Sequence, residues 1–140
     1  MIPGDARNTD WLDNTEEHDS AAVVFEGISM YLTTDEMLRF MRALGEHFRS
    51  VRILMDCYTE RGAAAAKFKN PINDVGVTSV CGIDDPRILE KDTKFTFIKE
   101  HEMTPPEMMN ELKGTEKAVF KMLFGGRFAK SIYRMYEYKK

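Results

Sequence analysis

The chain has 140 residues, of which 43% are hydrophobic and 31% are charged, and its formal net charge is −3. A chain of this length and composition can form one domain with a hydrophobic core, which excludes disorder over most of its length. No apolar run reaches the roughly 20 residues of a membrane helix, and the N-terminus lacks a basic region followed by an apolar segment. We therefore expect a single cytoplasmic domain over residues 1–140, with no membrane partner.

The first predicted elements are a short helix through Asp10–Asp13, which Asn8 or Thr9 could cap, and a strand over Ala21–Glu26. The strand is an apolar run without alternation, which is typical of a strand covered on both faces. It ends in a carboxylate, and ligands of open α/β sheets lie beyond the carboxyl ends of the strands. Glu26 is therefore expected at a ligand crevice.

A helix and a second strand follow. Thr33 and Glu36 have the spacing of a capping box, and apolar residues continue at 3.6-residue spacing, which predicts a helix over residues 34–48. The apolar run Val51–Cys57 predicts the second strand. Asp56 brings another carboxylate toward the carboxyl end of that strand.

The rest of the chain is predicted to alternate between helices and strands around an irregular region at residues 70–85. Helices are expected at residues 61–68, 86–89, 104–112 and 115–124, and strands at residues 95–98 and 131–138. The order of elements predicts an α/β fold.

The C-terminal segment is basic. Residues 113–140 hold eight basic residues, two acidic residues and six aromatic residues, a combination that can indicate nucleic-acid binding. A helix explains the pattern better, because four of its apolar residues share a face: Val119, Phe120, Leu123 and Phe124. We therefore expect core packing beside a solvated basic face and no nucleic-acid partner.

Three segments carry a family resemblance. Glu26-Gly27-Ile28-Ser29-Met30-Tyr31-Leu32 fits an E-G-x-x-M-Y-L signature at every fixed position, Asp5–Leu12 is similar to an acidic loop with a Trp-Leu turn, and Cys81–Arg87 is similar to a G-I-D-D-P segment. Together they resemble the leucine carboxyl methyltransferase and tetracenomycin-type polyketide O-methyltransferase family, which uses S-adenosylmethionine. The resemblance covers most of the chain. It implies strands four to seven of a class I (Rossmann-like) methyltransferase sheet, with flanking helices and an antiparallel closing strand.

Enzymes of this kind bind the cofactor first through a glycine-rich turn after their first strand. The nine glycines of this sequence form no such turn, and Gly125-Gly126 follows a predicted helix rather than opening one. Met1–Asp5 is typical of the middle of a domain. We therefore expect a partial methyltransferase fold without the glycine-rich half, from a truncated, split or degenerate form. By itself it would be inactive and would bind S-adenosylmethionine weakly or not at all.

The resemblance also implies roles for cofactor-binding residues. Asp5 and Ala6 would lie beside the adenine, and Glu26 would face the ammonium group of the cofactor. The residues themselves leave other roles open. Asp5 could serve a turn or a helix cap, and Glu26 could form a structural salt bridge with an arginine such as Arg52 or Arg134.

The same signature implies roles for three more residues. Gly27 would let the backbone pass close to the cofactor, or it would relieve crowding at the strand end. Met30 and Tyr31 would border the pocket for the methyl acceptor, with burial against the next helix as the alternative. No general base can be assigned. The cysteine and histidine residues lack metal-ligand spacing, so no metal is expected.

Two functions remain open at this point. The first is part of an O-methyltransferase acting on a small-molecule (polyketide-like) or carboxyl acceptor, and the second is a non-catalytic interaction module that keeps half of the fold. In the family fold, the strand at Ala21–Phe25 pairs on one side with Val51–Cys57 and on the other with a strand not found here. The free apolar edge predicts a homodimer.

Overall fold

Four strands form one mixed sheet in the computed structural model, which describes residues 3–15, 19–66, 80–103, 111, 114 and 127–140. The strands are β1 (Ser20–Phe25), β2 (Ser50–Tyr58), β3 (Thr96–His101) and β4 (Tyr133–Lys139), and their order in the sheet is β1-β2-β4-β3. β1 and β2 are parallel, and β4 runs antiparallel to both of its neighbours. The prediction of an α/β fold with an antiparallel closing strand is confirmed.

Helix α1 (Thr34–His47) connects the two parallel strands. The predicted capping box is present: the Thr33 hydroxyl accepts from the Glu36 amide at 3.2 Å, and the Glu36 carboxylate accepts from the Thr33 amide at 2.7 Å. The two bonds satisfy backbone donors that the first turn of a helix leaves free. The apolar side of α1 packs against the sheet.

The hydrophobic core lies between α1 and one face of the sheet, called the inner face here. The inner face carries alternate residues of β2 and β4, all buried: Val51, Ile53, Met55, Cys57, Tyr136 and Tyr138. Met37, Met41 and Leu44 of α1 are buried in the same cluster. The strand period of two and the helix period of 3.6 place these residues at one interface.

The opposite, outer face of β1 departs from the prediction. Ala21, Val23 and Phe25 pack toward the core, whereas Ala22 is exposed and Val24 is 68% exposed. The prediction that β1 is covered on both faces is therefore wrong for the part of the chain described. The reason is that an apolar run alone specifies neither face: alternate side chains of any strand point in opposite directions.

Shorter elements complete the described structure. Asp10–Asn14, Ser29–Tyr31 and Pro86–Glu90 are 3-10 helices, α2 spans Glu60–Ala66, and Arg127–Lys130 forms one helical turn. The helices predicted at residues 104–112 and 115–124, including the packing of Val119 to Phe124, lie outside the described residues except for residue 111. Among the helices that the structure describes, none combines the length and apolar character needed to cross a membrane.

Candidate functional site

The carboxyl ends of β1 and β2 bring two carboxylates to one edge of the sheet. Phe25 pairs with Met55 in the parallel register, so the residues that follow, Glu26 and Asp56, are neighbours. Their environments differ. Glu26 is exposed, whereas Asp56 is only 7% exposed. The buried carboxylate needs hydrogen-bond partners, because an unpaired buried charge is strongly destabilising.

Asp56 finds those partners in the turn that follows β1 and in β4. Its two carboxylate oxygens accept from the Gly27 amide at 3.0 and 2.9 Å, and the Tyr133 hydroxyl donates to one of them. The Ser29 hydroxyl donates to the main-chain carbonyl of Asp56. One residue of β2 therefore anchors the Glu26–Ser29 segment to the sheet.

Tyr133 is held in place by its own neighbours. It pairs with Tyr58 across β2 and β4, and the two rings meet edge to face with centroids 5.1 Å apart. Burial raises the pKa of Tyr133, and the hydrogen bond to Asp56 raises it further. The phenol is therefore a neutral donor throughout the physiological pH range.

The role of Gly27 is conformational. Its φ of +67° lies in the left-handed region, and among the residues that the structure describes a Cβ atom at this position would meet nothing within 4 Å. Relief of crowding is therefore the wrong explanation for this glycine. An L-residue at this φ is strained by roughly 1–2 kcal/mol, so the turn after β1 requires glycine for its shape.

Met30 and Tyr31 lie in a small second cluster near the same edge of the sheet. Met30 is 5% exposed and packs with Ala63 and Val80, and Tyr31 packs against them while half-buried. The Met30 carbonyl accepts from the Cys81 amide at 2.8 Å. The structure thus gives Met30 a packing role, and its role beside a methyl acceptor stays a prediction.

The Gly82–Pro86 segment forms structural hydrogen bonds at several positions. The Ile83 amide donates to the Tyr58 carbonyl at 2.8 Å, the Asp84 carboxylate accepts from the Glu60 amide at 3.0 Å at the start of α2, and Asp85 caps the next 3-10 helix. The segment closes the carboxyl end of β2. None of these contacts requires a ligand.

Asp5 and Ala6 lie in a turn in which the Asn8 amide donates to the Asp5 carbonyl at 3.0 Å. The Asp5 carboxylate accepts from the Arg7 amide at 2.9 Å and pairs with its guanidinium, which holds the pKa of Asp5 below its usual range. Thr33 lowers the pKa of Glu36 through hydrogen bonds, and the charge of Arg7 adds to this effect. Ala6 packs against the core. The turn role of Asp5 is therefore observed, and adenine contact stays a prediction.

Neither arginine proposed as a salt-bridge partner of Glu26 takes that role. Arg52 pairs with the buried Glu137, which also accepts from His101, and Arg134 lies 3.7 Å from Glu100. The salt-bridge explanation with these arginines is wrong. Among the described residues Glu26 forms no ion pair, so its carboxylate stands exposed at the end of β1.

Asp56 and Tyr133 are the residues of this site whose partnership the sequence reasoning missed. Asp56 had a visible signal, since it sits near the carboxyl end of an apolar strand. Tyr133 had none, because its place beside Asp56 depends on the antiparallel pairing of Tyr58 with Tyr133.

The chemistry available at this site is that of an exposed carboxylate, Glu26, next to a buried carboxylate, Asp56, whose oxygens accept from Gly27 and Tyr133. The described residues contain no group of three or more side chains that could bind a metal ion. Comparison with protein-family models, with curated proteins and with solved structures finds no match for this chain.

Proposed function

We propose that the chain forms the C-terminal half of an S-adenosylmethionine-dependent O-methyltransferase domain, acting on a small-molecule or carboxyl acceptor. Two features support the proposal. The sheet order β1-β2-β4-β3, with an antiparallel β4, agrees with strands four to seven of the fold implied by the resemblance. The signature Glu26–Leu32 lies at the carboxyl end of a parallel strand, where α/β proteins bind ligands.

The observation that carries the proposal is the exposure of Glu26. Other members of the signature have structural roles: Gly27 adopts a left-handed turn, the Met30 side chain and carbonyl are engaged, and Leu32 is buried. Glu26 is the only charged residue of the signature, and it forms no ion pair within the described residues. A carboxylate in this position is available for a ligand.

Glu26 suits a cationic group, because an ionised carboxylate is acceptor-only and an ammonium has three donors. In the proposed complex, Glu26 accepts from the ammonium end of the cofactor, and Tyr31 borders the methyl acceptor. The bound cofactor supplies a methyl group on a sulfonium, so the chain has to align the acceptor and exclude water.

A titration of the chain with S-adenosylmethionine, followed by backbone NMR shifts, tests the proposal. We expect a dissociation constant in the millimolar range, about −4 kcal/mol, because the glycine-rich turn is not part of this sequence. The shifts should centre on residues 5–6 and 26–31. Micromolar affinity would contradict the half-domain proposal, and shifts elsewhere or none would contradict cofactor binding at Glu26.

A non-catalytic interaction module is a second candidate, favoured by the free edge of β1. Within the described sheet β1 pairs with β2 alone, and it contains no lysine or proline to block pairing. Two copies related by a two-fold axis would pair these edges and cover the exposed Val24. We therefore expect a homodimer.

Light scattering on the wild-type chain and on Val24→Lys tests the dimer. Val24 is 68% exposed, so lysine removes little burial and places a charge beside the pairing edge; the variant should be monomeric. Ile98→Lys in the other edge strand, where Ile98 is 46% exposed, is the matched control and should remain dimeric. A monomeric wild type at high concentration would refute the interface.

A further inference from the structure

We infer that Asp56 and Tyr133 are positioning residues that fix the Glu26–Gly27 peptide at the end of β1 and thereby orient Glu26 toward its ligand. The inference deepens the proposed function and rests on it for the identity of the ligand. The contacts among Asp56, Gly27 and Tyr133 are observed in the chain itself and do not depend on the identity of the ligand. Three elements meet at one carboxylate: β2 carries Asp56, the turn after β1 supplies the Gly27 amide, and β4 supplies the Tyr133 hydroxyl.

The Asp56 contacts set the direction of the peptide. Both carboxylate oxygens accept from the Gly27 amide, so the N–H of the Glu26–Gly27 peptide points at Asp56. The peptide is trans, and in a trans peptide the C=O points opposite to the N–H. The Glu26 carbonyl therefore points away from Asp56.

A second restraint acts two residues later. The Ser29 hydroxyl donates to the main-chain carbonyl of Asp56, so the turn is tied to β2 on both sides of Ile28. Ile28 itself is 44% exposed. The turn is thus anchored by polar contacts to Asp56 of β2, which Tyr133 of β4 also contacts, rather than by burial of its tip. Loss of those contacts should release Glu26.

Tyr133 completes the anchor from the C-terminal strand. Its ring packs on Tyr58, and its hydroxyl occupies part of the acceptor capacity of Asp56. Without that hydroxyl the carboxylate would be free to rotate away from Gly27 or to take up water. The closing strand β4 therefore controls the geometry at the end of β1, although the two strands are not adjacent in the sheet.

Hydrogen exchange of the Gly27 amide in Tyr133→Phe tests the inference directly. We expect the Gly27 amide to exchange at least about tenfold faster than in the wild type, because loss of the Tyr133 hydroxyl weakens the hydrogen bond from this amide to the Asp56 carboxylate. Tyr138→Phe is the matched control: Tyr138 lies on the same strand, is buried, and donates its hydroxyl to the Pro86 carbonyl at 2.8 Å. Gly27 exchange should be unchanged in the control.

Equal Gly27 exchange in both variants, or in Tyr133→Phe and the wild type, would overturn the inference. Asp56→Asn provides a second variant of nearly the same size. It removes the charge and one acceptor oxygen, so Gly27 exchange should again accelerate. Retention of wild-type protection in Asp56→Asn would also overturn the inference.

The ligand is tested separately on the same proteins with S-adenosylmethionine as the probe. Tyr133→Phe should weaken binding several-fold relative to Tyr138→Phe. If neither the wild type nor any variant binds the cofactor, the proposed function fails. The exchange rates then still decide whether Asp56 and Tyr133 position the turn. If Tyr133→Phe binds as the wild type does, the positioning of Glu26 by this pair is refuted.

Discussion

Replacing Gly82 with alanine should lower the free energy of unfolding by about 3 kcal/mol, the upper part of the range for overpacking. A Cβ atom at position 82 would lie 2.3 Å from the Thr59 carbonyl oxygen and 2.6 Å from the Glu60 amide nitrogen. Both contacts are with backbone, which cannot move aside as a flexible side chain can. Relief would require the segment to leave β2, with loss of the Ile83 hydrogen bond to Tyr58.

Gly45→Ala is the matched control in chemical denaturation. A Cβ atom at Gly45 would lie 3.3 Å from a side-chain atom of Phe95, and alanine in a helix interior gains about 0.5–1 kcal/mol over glycine. We expect the unfolding free energy of this variant to stay within about 1 kcal/mol of the wild type. A Gly82→Ala variant as stable as Gly45→Ala would contradict the close packing of the segment on β2.

The elements that the sequence predicts well are those with local signals. The capping box at Thr33 and Glu36 marks the start of α1, and the helical spacing of its apolar residues marks its length. The short helix at Pro86 begins where the proline predicts it. These signals depend on neighbours within a few residues, so they survive without knowledge of the tertiary fold.

The features that sequence reasoning missed depend on contacts between distant segments. Tyr133 meets Asp56 across 77 residues of chain, and Arg52 reaches Glu137 across 85. The exposure of Val24 likewise depends on what packs over β1. Such contacts follow from sheet register, which side-chain type alone does not specify when both faces of a strand are apolar.

The sequence predicts the candidate site in part. It places Glu26 at the end of a strand, and the structure has it there, exposed. It also indicates a role for Gly27, whose requirement is a positive φ rather than space. For Asp56 it indicates only a carboxylate near a strand end. The role of Asp56 as the anchor of the turn depends on the parallel register that sets it beside Glu26.

Glu26→Gln should weaken S-adenosylmethionine binding by about tenfold or more, because a charge-assisted hydrogen bond contributes about 1.5–3 kcal/mol. The free energy of unfolding should change by less than about 0.5 kcal/mol, as for other surface substitutions. The reason is that Glu26 is exposed and has no ion pair among the described residues. A loss of stability without a loss of affinity would assign Glu26 to folding.

The most direct test of the central claim is the cofactor affinity of Glu26→Gln compared with Glu46→Gln. Glu46 is an exposed glutamate near the C-terminal end of α1, so its substitution makes the same change in charge away from the turn after β1. Fast-exchange NMR titration gives both dissociation constants on folded chains. The proposed function predicts that Glu46→Gln binds S-adenosylmethionine as the wild type does and that Glu26→Gln binds about tenfold more weakly. Equal affinities in the two variants would contradict a cofactor site at Glu26.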